Sequence, residues 1–137
     1  MWNPWHALRE RADLALVWTD QLPDGALGAT DGRRIYMTKR QLQAERRCTL
    51  THELVHVEWG HDGCQPSAIE RSVRAEAARR LIDIDDLTSA LIWGHDPDEI
   101  AEELWVDVDT LLARLESLTE GERARVERAI KKRDESL

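Results

Sequence analysis

Two histidines one helical turn apart constrain this chain more than any other feature. The run Thr51-His52-Glu53-Leu54-Val55-His56 sets His52 and His56 four residues apart. On a helix such residues lie one above the other on the same face, so both imidazoles aim at one point. Converging imidazoles supply two of the three protein ligands of an open catalytic zinc site. Glu53, beside the first histidine, is placed to reach a water activated at that metal. Because bound zinc lowers the pKa of water toward about 7, a neighbouring carboxylate can take the proton and later hand it to a leaving amine. Leu50, Leu54 and Val57 give the same helix a side to bury, and a loop with Gly60 and Gly63 follows. A solvated surface helix with two unrelated histidines would need neither.

A third ligand is expected on the next helix, where Glu70 and Glu76 are the candidates. On a helical wheel, Glu70 falls between Ala77 and Leu81, near the middle of the apolar face. A carboxylate there is costly unless it is paired or bound to metal. Glu76 sits at the edge of that face, near Ile69 and Val73. Either one could instead be a surface charge pairing with Arg71, Arg74, Arg79 or Arg80. The pattern favours Glu70 and leaves Glu76 open.

The rest of the chain supplies a frame for this helix. Asn3-Pro4 reads as a helix start, the helix running to about Ala12. Leu14–Thr19 is a strand candidate, and Gln21–Gly25 is a turn by its Pro-Asp-Gly chemistry. Ala26–Thr30 and Arg33–Thr38 flank Asp31-Gly32, a hairpin signal. The motif helix is expected from about Arg40 to Glu58, with a break near Ala44–Arg46. After the loop Gly60–Pro66, periodicity predicts helices over Ser67–Ile82, Asp85–Trp93, Pro97–Trp105 and Asp109–Leu118, then a charged helix from Thr119. Asp96-Pro97 and Asp107–Asp109 offer caps. The fold class is α+β: a small antiparallel sheet packed on the motif helix, and an all-helical C-terminal half. A length of 137 residues suits one domain, with residues 1–82 as the metal-binding core and 83–137 as a helical region.

Composition narrows the class further. The chain is 42% hydrophobic and 34% charged, and has six Trp, one Tyr and no Phe, so tryptophans are expected to brace the core. A net charge of −8 argues against direct nucleic-acid binding, which needs a basic surface. It does not exclude a basic protein partner. No apolar run approaches the roughly 20 residues of a membrane span, and the first residues lack a signal-peptide pattern, so a cytoplasmic protein is expected. Cys48 and Cys64 are too few for a disulfide framework and are expected as thiols.

The residues now quoted resemble a known family, the ImmA/IrrE-type metallopeptidases. The likeness lies in Cys48–His56 (CTLTHELVH), a short loop, and Ile69–Ile82 (IERSVRAEAARRLI). The family has a TxxHExxH helix followed by a helix bearing Glu, paired alanines and a leucine-rich end; Glu70, Ala77-Ala78 and Leu81-Ile82 fit that frame. Ala101–Leu115 also looks like the family's C-terminal part. The likeness spans about Pro4 to Leu118. Arg74 departs from it by standing where Asn or Asp is common, and Asp83-Ile84 replaces Met-Pro. The resemblance implies a zincin-like fold of the gluzincin type, Zn²⁺ on His52, His56 and Glu70, and Glu53 as general base. It also implies a substrate: a helix-turn-helix repressor of a phage or mobile element, cleaved or inactivated. The alternative is a non-catalytic antirepressor of the same fold, acting by contact.

Other residues read more plainly. His61 and Cys64 are expected to be loop residues, and His6 and His95 packing or surface residues. Tyr36 could polarise a substrate carbonyl, but a core or edge-strand tyrosine is the expected role. Its strand is a candidate edge for an extended peptide. Ile100–Leu115 has a helix-turn-helix look, yet its turn carries Asp107 and Asp109 where a DNA reader needs Arg or Lys. It is expected to pack, or to face a basic repressor.

Overall fold

Asn3 starts the first helix as its sequence requires: its Oδ1 accepts from Trp5 N and His6 N at 3.0 and 3.2 Å. The computed structural model describes all residues 1–137. Helix α1 covers Pro4–Arg9 and is followed by β1 (Ala15–Trp18), β2 (Gly28–Thr30) and β3 (Arg34–Met37). Six further helices complete the chain: α2 (Gln43–Glu58), α3 (Ser67–Leu81), α4 (Ile84–Trp93), α5 (Pro97–Leu104), α6 (Val108–Glu116) and α7 (Glu120–Ser136). The class is therefore α+β. No helix is long and apolar enough to cross a membrane.

Asp31-Gly32 turns β2 into β3. Gly32 takes φ 92°, a left-handed value that glycine adopts freely. Asp31 Oδ1 accepts from Arg33 N and Arg34 N at 3.0 and 2.7 Å. Strand β2 pairs antiparallel with β3, but β1 pairs parallel with it, from Ala15↔Arg34 to Trp18↔Met37. The sheet is thus mixed, with order β1-β3-β2, and the expected all-antiparallel sheet is corrected. A hairpin betrays itself through its turn residues. A parallel neighbour leaves no such local mark, because its partner lies beyond a crossover. β3 is consequently the central strand, and both its edges are occupied. Tyr36 cannot offer an edge to a peptide.

Ile35 and Met37 alternate onto the sheet face that meets Leu50 and Leu54 of α2. Trp2, Trp5 and Trp18 close the sides of this layer, with Trp5 and Trp18 stacked at 6.4 Å. Helix α2 runs unbroken through Ala44–Arg46 and begins at Gln43 rather than Arg40. The Arg46 side chain explains the late start, because it folds back to donate to Lys39 O and Gln41 O, so those carbonyls need no helical partner. Glu45 accepts from Leu42 N at 3.0 Å and steadies the entry.

The second side of α2 packs on α3 through Val55, Val73 and Ala77. Ile69, expected on that face, is exposed. The largest apolar cluster lies in the helical half, where Leu87, Ala90, Ala101, Leu104, Val106 and Leu111 gather around Leu81 and Ile82. Asp96, Asp107 and Thr119 cap α5, α6 and α7 by accepting from Glu99 N, Thr110 N and Glu122 N. α5 and α6 bury Leu104, Val106 and Leu111, so the helix-turn-helix-like segment is a packing element.

Two buried arginines tie the halves together. Arg47 donates to Leu81 O at 3.2 Å and Trp105 O at 3.0 Å. Arg114 donates to Ile82 O at 2.8 Å and pairs with Glu122. Trp105, which ends α5, takes φ 57° and ψ 45°. A bulky side chain held in this left-handed region costs about 1–3 kcal/mol and persists only where its surroundings demand it.

Candidate metal centre

Helix α2 carries His52 and His56 on one face, and α3 brings Glu70 across to them. The Nε2 atoms of the two histidines are 3.2 Å apart. Glu70 Oε2 lies 3.2 Å from His52 Nε2, and Oε1 lies 3.2 Å from His56 Nε2. A tetrahedral ion with bonds of about 2.0–2.1 Å separates its ligand atoms by roughly 3.3–3.4 Å. The triangle His52, His56 and Glu70 is close enough to bind a metal ion, and its two nitrogens and one oxygen are the donor types zinc accepts.

Electrostatics prepare these groups for a cation. Burial lowers the pKa of His52, with the nearby His56 adding to it, and burial lowers that of His56 too; in each case the Glu70 charge works the other way. Neutral imidazole is the form that ligates metal. The charge of Arg74 also lowers the His52 pKa. Glu76, the other candidate ligand, faces Arg79 and Arg80 at 3.7 and 4.0 Å and stands outside the triangle.

Glu53 is only 6% exposed. Burial pushes its carboxyl up to about 8, and the Glu70 charge adds to the shift. A divalent cation beside it would supply the opposite field and favour the carboxylate. Glu53 and His52 line a cleft of about 520 Å³, whose walls come from Gly28, Arg74 and the start of α6 at Asp107 and Thr110. Gly28 is what lets β2 lie this close to α2. A Cβ there would come within 2.5 Å of Thr49 Cγ2 and 3.3 Å of Glu53 Cγ. Gln41 holds the approach to β2 in place, donating to Leu27 O at 3.1 Å and accepting from Thr49 Oγ1 at 2.6 Å.

His61 is more than the loop residue the sequence suggests. Its Nδ1 lies 2.9 Å from His56 Nδ1, so one ring donates and the other accepts. A ligating histidine is oriented by whatever its second nitrogen meets, and here that partner is another imidazole. The signal was its place five residues beyond His56, just after the helix ends. Cys64 is an exposed thiol, and Cys48 is a buried one whose pKa burial raises to about 11. Tyr36 pairs in register with Val17 and Ala29. It alternates with Ile35 and Met37, so its side chain stands on the sheet face turned away from α2, and it does not line the cleft. His6 pairs with Glu10 at the surface, and His95 is exposed.

No family model, no curated protein and no solved structure matches this chain. The functional reading therefore rests on the site itself.

Proposed function

We propose that this protein is a zinc-dependent endopeptidase with a zincin-like fold, of the ImmA/IrrE type its motifs resemble. The observation that carries the proposal is the triangle of His52, His56 and Glu70, with buried Glu53 on the wall of the same cleft. His52, His56 and Glu70 would hold Zn²⁺, which when bound polarises a carbonyl and acidifies water. Glu53 would accept the proton of the attacking water and return it to the leaving amine. An extended substrate would add to the free edge of β2, the strand that borders the cleft, since sheet edges accept peptides through main-chain hydrogen bonds. The proposed substrate is a helix-turn-helix repressor, a basic partner suited to a chain of net charge −8.

Two measurements test this. Metal analysis of the purified protein is expected to find about one zinc per chain, lost in His56→Ala and in Glu70→Ala. Glu53→Gln is expected to keep the metal while cutting peptide cleavage by about 10²–10⁴-fold. Undiminished cleavage in Glu53→Gln would remove the general base from the mechanism. Relief of repression that survives in that variant would select the non-catalytic antirepressor instead.

A further inference from the structure

A second cavity, of about 500 Å³, opens between α4 and α5. Leu81 and Leu104 form part of its apolar lining. Trp93 and Trp105, from the ends of the two helices, also line it and are 77% and 53% exposed. Asp86, Glu99 and Glu103 add three carboxylates. None of the three takes part in an ion pair.

Each of these features has a cost if the surface stays bare. Large aromatics exposed around one cavity mark an interaction site more often than inert surface does. The left-handed backbone of Trp105 would suit glycine without strain, yet the position carries the largest of side chains. Trp93 could be any polar residue at the end of α4. Three carboxylates around an apolar hollow give it a negative potential that attracts a cation.

The chain itself shows what these rings take. Guanidinium groups sit over Trp18, Trp2 and Trp105, at 4.9, 5.3 and 5.7 Å from the ring centroids. Trp93 has no such partner. An indole face with carboxylates nearby is the chemistry that binds a cationic side chain. We propose that this cavity is a docking site for a basic segment of another protein, whose arginine or lysine side chain enters beside Trp93 and Trp105 and is neutralised by Asp86, Glu99 and Glu103. Charge complementarity selects this occupant over an apolar helix, which would leave all three carboxylates unpaired against it. The site is separate from the metal triangle and does not depend on the peptidase reading.

The test is a titration of the whole protein with an end-blocked triarginine peptide bearing a neutral dye, followed by anisotropy at about 0.15 M salt. Saturable binding is expected. Trp93→Ala, Trp105→Gly and the pair Glu99→Gln with Glu103→Gln should each weaken it by about tenfold or more. Trp93 is so exposed that its replacement leaves folding intact, and Trp105→Gly relieves the backbone. The pair Glu10→Gln with Asp24→Asn removes the same charge away from the cavity and should leave binding unchanged. Equal weakening by that pair, unchanged binding in the cavity variants, or no saturable binding would each overturn the proposal.

Discussion

Six of the seven buried polar side chains lie between Thr38 and His56, whereas the helical half beyond Ile82 buries only Arg114 among such groups. The first region holds His52 and His56 of the candidate metal triangle, Glu53 and the Gln41 network. The second holds most of the large apolar cluster. Buried polar groups are costly unless satisfied, and every fully buried side-chain nitrogen and oxygen here has a partner. The contrast teaches a division of work: the sheet and α2–α3 position the candidate metal site, while α4–α6 supply the burial that keeps the fold together.

The hardest blow to this contrast is a cavity in the helical half. Leu87 is fully buried, and Leu87→Ala is expected to cost about 2–5 kcal/mol of stability. Well below the melting temperature, the folded variant should bind zinc as tightly as the parent. Thermal unfolding and a zinc titration measure the two together, and parallel losses would erase the division. His61→Ala is the reverse case. It should weaken metal binding by about 10–100-fold through the freed ring of His56, while stability without metal falls by only about 0.5–1.5 kcal/mol, the net worth of the lost hydrogen bond to that buried imidazole.

The smallest effect concerns the hairpin that places β2 beside the cleft. The Arg34 and Arg33 backbone N–H groups, helped by the Arg34 side chain, hold the Asp31 carboxyl down from 3.8 to about 2. A lowered pKa means that the folded state favours the charged form. The contribution is therefore complete above about pH 4 and disappears as pH falls through about 2. The stability difference between the parent and Asp31→Asn should shrink over that interval. A difference constant from pH 5 to pH 2 would show that the charge of Asp31 is irrelevant to the turn.

Much of this was legible in the sequence where interactions are local. The spacing of His52 and His56 set the ligand face, and the wheel position of Glu70 pointed it at the same face. Asn3, Asp96, Asp107 and Thr119 announced their helix starts, because a cap acts within three residues. Contacts distant in sequence left no such trace. The parallel pairing of β1 with β3 joins residues 19 apart (Ala15 to Arg34), with only a generic apolar run as its sign. Arg47 looked like any charged helix residue, although its partners Leu81 O and Trp105 O lie 34 and 58 positions away. The role of His61 depends on how the chain leaves α2, a matter of backbone path rather than of residue type.

The cleft beside Glu53 takes one of its walls from the start of α6, where Asp107 caps the helix and Thr110 lies in its first turn. Those positions are not among the three candidate ligands His52, His56 and Glu70. Were the cleft to act as proposed, replacements along that rim would change which side chains fit there, while the triangle of His52, His56 and Glu70 stays as it is. On the proposed function, selectivity and chemistry would sit on separate stretches of chain, and a lineage could retarget the protein by altering its distal helices alone.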